Sequence, residues 1–181
     1  MRAMVECTIR ELARCDNASF HALVVPLGEM CKLTYTATHG SYFEPTAANA
    51  SVPGWTRDLR LTANPAAGGM RALVFLHPRL PRGVVAFRGT DLDPATVSGQ
   101  ADACADRILF DPSRKLQPYC SGFSEHTLNY WSRALDFVRA VRSAHPVRSF
   151  TFTGHSLGAA LALMMAATGA AGPPGPPQIP P

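Results

Sequence analysis

The chain carries little charge, and no part of it concentrates charge of one sign. Of its 181 residues 17% are charged, and the formal net charge is +4. The basic residues are mostly arginines scattered singly, and no basic stripe with interleaved aromatic residues occurs. Nucleic-acid-binding surfaces carry such a stripe, so the composition argues against a nucleic-acid partner.

Long uninterrupted apolar runs are missing as well. No signal peptide is visible in the N-terminal stretch MRAMVECTIRELARC, because polar residues interrupt its apolar positions. The longest apolar run follows Ser156 and is too short for a convincing membrane span. We therefore expect no transmembrane segment, and the compartment stays open.

The cysteines form no recognisable metal or redox motif. There are five, at positions 7, 15, 31, 104 and 120, and their spacing fits neither a zinc site nor a CxxC pair. An odd number cannot be fully paired within one chain. We expect free buried thiols. The alternative is a Cys104–Cys120 disulfide, formed in an oxidising compartment. No metal or organic cofactor is expected.

An apolar fraction of 46% predicts a globular chain with one real core. We divide it into an N-terminal helix or tail at 1–17, an α/β domain at 18–168 and a tail at 169–181. That tail is rich in proline and glycine, so we expect it to be disordered.

Periodicity and turn residues predict the elements of the first part of the domain. Apolar residues at helical spacing around Pro26 favour a helix over 19–36, followed by a mostly looped stretch to residue 69. Two apolar runs at 71–77 and 84–88 flank a Pro/Gly turn and predict a β-hairpin. The stretch 91–118 is expected to be irregular, with one helical turn around 101–108.

The second part alternates helix and strand. Ser124 is the expected N-cap of a long helix that His145 and Pro146 end, and a β-branched and aromatic strand follows at 147–153. The helix from Leu157 to about residue 168 is apolar on every side, which predicts full burial. This order predicts an α/β fold with helices on the faces of a sheet.

Gly154-His155-Ser156-Leu157-Gly158 matches G-x-S-x-G between a predicted strand and a predicted helix. That is the setting of a nucleophile elbow, a turn so tight that both glycine positions must stay small. The following helix directs N–H groups and its positive dipole end at a developing oxyanion. The structural alternative is a glycine-flanked serine in an ordinary strand–helix loop.

A second candidate segment is VVAFRGT at 84–90. A strand that ends in Gly-Thr can place the hydroxyl and N–H of Thr90 beside the elbow of a neighbouring strand. Its plainer interpretation is a strand end with a small-residue turn.

Four segments together resemble the class 3, or fungal-type, lipases of the α/β-hydrolase superfamily. They are CKLTYTAT at 31–38, VVAFRGT at 84–90, SGFSEHTLNYW at 121–131 and FTGHSLGAALALMMA at 152–166. The resemblance runs from about residue 20 to 168 and implies a partial α/β-hydrolase fold. Its central sheet would be mostly parallel with flanking helices, and the C-terminal strands of the fold would be lacking.

The resemblance also implies roles for three residues. Ser156 would attack an acyl ester, such as a triacylglycerol, to give an acyl-enzyme. Thr90 and the backbone N–H of Leu157 would form the oxyanion hole. The partners implied are an acyl-ester or lipid substrate and transient contact with a lipid interface.

The chain departs from the family's pattern at several positions. The tryptophan usually found beyond FRGT is absent, and Cys120 stands where a histidine is usual. The lid is expected within 91–113. The family's acid and base follow the elbow helix, whereas no Asp, Glu or His follows Ser156 here.

A serine without a base is a poor nucleophile, so we expect a truncated and inactive hydrolase. Upstream candidates for the missing groups are His126, His145, Asp106, Asp111 and Asp136, and His155 adjoins the nucleophile. The main alternative function is a non-catalytic, hydrolase-like binding protein, with the Pro-rich tail as a ligand for aromatic grooves. An unrelated α/β domain with a chance motif is the third interpretation.

Overall fold

The computed structural model describes residues 17–36, 52–63, 68–111 and 118–169. Five α-helices and four strands lie in these ranges: α1 Asn17–Thr36, β1 Thr56–Ala63, β2 Ala72–Leu76, β3 Arg82–Phe87, α2 Val97–Phe110, α3 Glu125–Leu128, α4 Tyr130–Ala144, β4 Ser149–Gly154 and α5 Leu157–Ala167. A short 3₁₀ helix, Pro118–Gly122, precedes α3. The expected boundaries at 17/18 and 168/169 stay predictions, because most of both terminal segments lies outside the described residues.

The described strands form one sheet in the order β1-β2-β3-β4. β1 with β2 and β2 with β3 pair antiparallel, whereas β3 and β4 pair parallel. Short connections join the first three strands and therefore reverse the chain each time. α2, α3 and α4 fill the crossover between β3 and β4, which lets those two strands run in the same direction. The predicted α/β fold is confirmed, with its parallel character confined to β3 and β4 in this part of the sheet.

Side chains alternate between the two faces of the sheet and build two cores. On one face, Leu73, Phe75, Val84 and Ala86 pack against the α1 residues Met30 and Leu33. The other face carries Val74, Val85 and Phe87, which pack with Tyr130 and Val138 of α4 and Leu161 and Met165 of α5. This alternation is the period of two expected of strands covered on both sides. The sheet is therefore the middle layer of three.

The predicted hairpin, the strand before the elbow and the helix after it are confirmed. β1 was not predicted, since its sequence TRDLRLTA carries charge on both faces. The predicted single turn around 101–108 is instead the whole of α2. Its buried face consists of small or polar residues, so it lacks the large apolar residues that mark a buried helix face.

The single long helix predicted after Ser124 is two helices in the structure, α3 and α4. Ser124 caps only α3, through a hydrogen bond that its hydroxyl accepts from the Thr127 N–H. Asn129 then caps α4, with its side-chain oxygen accepting from the Ser132 N–H. A second capping residue inside an apolar pattern restarts the helix at a new angle.

The expectation that α5 is buried all round is wrong for the described structure. Its buried side faces α4 and the sheet through Leu157, Leu161 and Met165, whereas Leu163 is 72% exposed. An all-apolar sequence does not by itself tell which side of a helix is covered. Among the described helices, none is both long enough and apolar enough to cross a bilayer.

The prediction that the cysteines are free thiols is wrong for one pair of them. Cys104 on α2 and Cys120 in the 3₁₀ helix form a disulfide, with Cα atoms 5.8 Å apart. The two residues pack with Ala101 and Leu128 in a small buried cluster. Cys31 is a free thiol, and Cys7 and Cys15 lie outside the described residues. The disulfide ties α2 to the segment that leads into α3.

Candidate functional site: a serine elbow beside a strand end

Ser156 occupies a strained backbone position at the junction of β4 and α5. Its φ is +53° and its ψ is −124°, and among the described residues it is the only non-glycine with positive φ. Such a conformation persists only where the surrounding structure enforces it. The side chain is exposed. The chain therefore bends sharply at this serine and presents it to solvent.

Close packing of two glycines enforces the bend. A Cβ at Gly154 would run into the backbone of Gly158, and one at Gly158 would run into the carbonyl oxygens of Phe87 and Arg88. Both contacts are with backbone, which cannot swing aside as a side chain can. The requirement for small residues at both positions thus has a direct structural cause.

The first turn of α5 leaves one N–H for a ligand. The N–H of Gly158 donates to the His155 carbonyl, and those of Ala159 and Ala160 donate to the Ser156 carbonyl. Within the described residues, the Leu157 N–H has no such partner. An unpaired N–H at a helix N-terminus suits a negatively charged oxygen.

Thr90 lies beyond the end of the neighbouring strand, at the same edge of the sheet as Ser156. Phe87 of β3 pairs with Gly154 of β4, so the chain after each strand emerges side by side with the other. A Cβ at Gly89 would meet the His155 carbonyl, which shows how closely the two loops approach. The sheet thus brings the loops of all three predicted site residues, Ser156, Leu157 and Thr90, to one edge.

A carboxylate on α2 holds the Thr90 hydroxyl. Thr90 Oγ1 donates to Asp106 Oδ2 at 2.7 Å. Burial raises the pKa of Asp106, and the hydrogen bond from Thr90 opposes that rise. Asp106 therefore fixes the rotamer of Thr90, and among its described contacts its hydrogen-bond partner is Thr90 rather than Ser156.

The backbone on either side of Thr90 is held by a buried polar cluster. Arg88 donates to Asp102 Oδ2 at 2.5 Å and to Ser98 Oγ at 2.6 Å, and the Asp91 N–H also donates to Asp102, at 2.8 Å. The Tyr130 hydroxyl donates to the other oxygen of Asp102 at 2.5 Å. Burial raises the pKa of Asp102, and the charge of Arg88 opposes this shift. Buried charges are tolerated when paired in this way, and the cluster fixes where β3 ends.

Tyr35 of α1 joins the strand-end loop to the elbow. Its hydroxyl lies 3.1 Å from His155 Nδ1 and also bonds to the backbone of Gly89. Burial raises the pKa of Tyr35, and the bond to Gly89 opposes that rise. The His155 ring therefore points toward α1, and a single phenol sets the spacing between the two loops.

The other candidates for acid and base lie elsewhere. His145 Nε2 bonds Asp58 Oδ2 at 3.0 Å, beside the start of β4, whereas Ser156 follows its end. The six residues of β4 separate the two ends by about 20 Å. This histidine–aspartate pair is therefore remote from the nucleophile.

The remaining candidates lie on or at the end of α2, α3 and α4, and two of them are paired with arginines. Asp136 pairs with Arg139 on α4, Asp111 pairs with Arg107 at the end of α2, and His126 is exposed on α3. Across the described ranges, no group of three or more His, Cys, Asp or Glu residues could hold a metal ion. The lid predicted within 91–113 overlaps α2, and its position stays a prediction.

Sequence reasoning did not assign Asp102, Arg88 or Tyr35, and it considered Asp106 only as a substitute acid. A usable signal existed for the two acids, which stand four residues apart and so share one helical face. Had α2 been predicted as a helix, Asp102 and Asp106 would both have been expected to face the end of β3.

Comparison with known proteins gives one positive finding. No curated protein matches the chain. The family model described as Lipase (class 3) matches residues 84–175, just over half of the chain and a span that includes Thr90, Ser156 and Leu157. On this match and on the α/β fold, the chain belongs to the class 3 lipase family.

Proposed function

We propose that the protein is a serine-dependent carboxylic ester hydrolase, acting on a triacylglycerol or another acyl ester. The observation that carries the proposal is the backbone of Ser156, held at positive φ where a strand meets a helix. Strain of this kind is retained at functional sites, and here it presents a hydroxyl next to the unpaired Leu157 N–H and the loop that carries Thr90. Membership of a lipase family supports an ester of a lipid as the substrate class.

Each site residue would have a distinct role. Ser156 Oγ attacks the ester carbonyl carbon, and the carbonyl π electrons move to oxygen as a tetrahedral oxyanion forms. The Leu157 N–H stabilises that oxyanion together with the Thr90 hydroxyl, whose proton turns from Asp106 to the oxyanion as the negative charge develops. Collapse breaks the bond to the alcohol oxygen, which takes up through solvent the proton that Ser156 Oγ lost, and leaves an acyl-enzyme; water then attacks the acyl carbon, releasing the acid and returning a proton to Ser156 Oγ. Loss of one oxyanion donor typically lowers the rate about a hundred- to a thousandfold.

The base for these steps is not among the described neighbours of Ser156. His155 bonds Tyr35, and His145 bonds Asp58 at the opposite end of β4. Without a base the hydroxyl stays protonated and reacts slowly at neutral pH. We therefore expect little or no ester turnover from the 181-residue chain, even though the elbow presents Ser156 to solvent.

The test uses an alkyl fluorophosphonate with the purified chain. Ser156 Oγ attacks phosphorus, fluoride leaves, and the hydroxyl proton passes to solvent; intact mass and peptide mapping locate the adduct. We expect slow labelling at Ser156, none in Ser156→Ala, and unchanged labelling in Ser149→Ala, which alters an exposed serine at the opposite end of β4. Labelling distributed over other serines, with none at Ser156, would contradict the proposal.

The second candidate function is a non-catalytic binding protein built on a hydrolase scaffold. Among the described residues no histidine or carboxylate is hydrogen-bonded to Ser156, which favours this function. A p-nitrophenyl butyrate assay on the same preparations discriminates between the ester hydrolase and the binding protein. Labelling at Ser156 without turnover supports a hydrolase that lacks its base, and turnover that disappears in Ser156→Ala supports the hydrolase while overturning the expected inactivity. A chain inert to both ester and fluorophosphonate supports the binding protein.

A further inference from the structure

The sheet has two edges, and their chemistry differs. Across the described ranges β1 and β4 each have a neighbouring strand on one side only. An edge strand presents a row of unpaired N–H and C=O groups, with which another strand can pair. Proteins protect such edges with charged side chains, with proline or with irregular backbone, so the two edges can be compared by these protections.

The β1 edge is protected. Its sequence TRDLRLTA contains the charged residues Arg57, Asp58 and Arg60, and the Arg60 side chain is 87% exposed. Its pairing with β2 also shifts register between Arg57 and Thr62. Charge and irregular backbone both oppose the addition of another strand. We therefore expect the sheet to stop at β1.

The β4 edge has none of these protections. Its sequence SFTFTG contains no charged residue and no proline, and its pairing with β3 is regular over all six residues. The helix that follows, α5, contains no charged residue either. In the part of the chain that the structure describes, no strand lies beyond β4. β4 is therefore the edge to which a further strand can be added.

The backbone groups that face the open side of β4 belong to Phe150 and Phe152. The Ser149 N–H donates to the Pro81 carbonyl, which places the backbone groups of Ser149 on the β3 side. Alternate residues of a paired strand direct these groups to opposite sides. Phe150 and Phe152 consequently direct theirs away from β3, and they offer two donors and two acceptors to another strand.

Apolar surface continues from this edge onto α5. One side of α5 packs on α4 and the sheet, whereas the other carries the exposed residues Ala159, Leu163 and Ala166 at intervals of four and three residues. Val147, just before β4, is also exposed. An apolar helix side next to an open strand edge is typical of a protein–protein contact.

The absence of charge favours a second copy of this chain as the partner. In a two-fold dimer the same surface lies on both sides of the axis, so a charged residue near the axis meets its like. Like charges directly opposite each other destabilise a strand pair. β4 and α5 avoid this repulsion because neither contains a charged residue.

We propose that β4 pairs antiparallel with β4 of a second copy, which joins the two sheets into one of eight strands. In this register Phe150 of each copy lies opposite Phe152 of the other, so all the open backbone groups of both residues are paired. Thr151 then lies opposite its own copy at the two-fold axis. The protected β1 edges form the two ends of the joined sheet, so assembly stops at the dimer. The proposal does not depend on the chemistry of Ser156.

The test is sedimentation equilibrium of the full 181-residue chain, alone and with Thr151→Lys or Thr151→Glu. Thr151 is exposed, so neither substitution disturbs the core. We expect a dimer for the parent, and a dimer Kd at least about tenfold higher for each variant, because like charges meet at the axis. The matched control is Thr56→Lys, the same change at an exposed position of the β1 edge, which should dimerise as the parent does.

Mixing the two variants separates repulsion from misfolding. Equal amounts of Thr151→Lys and Thr151→Glu should dimerise about as tightly as the parent, because opposite charges then meet at the axis. A monomeric parent, or assemblies larger than a dimer, would overturn the proposal. Parent-like affinity of Thr151→Lys alone, or a mixture no tighter than its components, would show that β4 does not pair with itself in this way.

Discussion

Replacing the serine at the elbow with glycine should stabilise the fold. Ser156 stands at φ +53° and ψ −124°, a conformation that a residue with a Cβ adopts at a cost of about 1–3 kcal/mol. Glycine adopts it freely. The gain is reduced by about 0.4–1 kcal/mol, because glycine makes the unfolded chain more flexible. The net expectation is an increase of roughly 0.5–2 kcal/mol in the free energy of unfolding.

The matched comparison is Ser156→Ala. Alanine removes the same hydroxyl but keeps the Cβ, so it keeps the strain. The Ser156 side chain makes no capping hydrogen bond, so neither substitution removes one from α5. Urea denaturation at fixed temperature, with equal m-values for the two variants, gives the difference in stability. Neither variant should be labelled by fluorophosphonate at this position.

The reasoning fails if Ser156→Gly is no more stable than Ser156→Ala. That outcome would mean that the elbow relaxes in solution to an unstrained turn. A strained nucleophile would then no longer carry the proposed function. A gain in stability with loss of labelling would show that the fold gives up stability to present this hydroxyl.

Three further perturbations test the supports of the fold. Reducing the Cys104–Cys120 disulfide, which spans 16 residues, should cost about 3 kcal/mol of unfolding free energy, measured by urea titration with and without dithiothreitol; equal midpoints would contradict this. Burial is the largest single influence on the pKa of Asp58 and raises it, but the hydrogen bond with His145, the bond from the Arg60 N–H and the charges of both residues together outweigh burial and hold the pKa below its usual 3.8. That stabilisation is complete above pH 3.8 and is lost as the pH falls below it. Asp58→Asn should therefore be less stable than the parent at pH 6, with the gap closing in acid; a gap that does not change with pH would refute the assignment. Gly158→Ala should cost at least about 2 kcal/mol by the same denaturation assay, because its Cβ meets rigid backbone of β3, and a neutral effect would mean that β3 and α5 can separate.

Sequence alone predicted the elements whose pattern is carried by large apolar residues. The hairpin of β2 and β3, the strand before the elbow and the helix after it all have such patterns, and each was found. Ser156 and Thr90 could be named because short motifs with a mechanical meaning surround them. Their loops meet at one edge because β3 and β4 pair in parallel, a pairing that the α/β pattern favours.

The supports of the site could not be predicted in the same way. The inward-facing residues of α2 are small or polar. The roles of Asp102 and Asp106 follow from their hydrogen bonds to Arg88 and Thr90, which lie outside α2. Tyr35 likewise acts on Gly89 and His155 across more than fifty residues. Contacts of this kind depend on tertiary packing, which local periodicity does not encode. The exposed side of α5 was missed for the same reason.

Ser156 and the Thr90 hydroxyl are held by separate parts of the fold. Ser156 is fixed by β4 and α5, whereas Thr90 takes its orientation from Asp106 on α2, a helix clamped to its surroundings by the disulfide and by Arg88. A small shift of α2 would therefore move the Thr90 hydroxyl while Ser156 stays in place. Under the proposed function, variation in and around α2 would change the stabilisation of the oxyanion without altering the elbow.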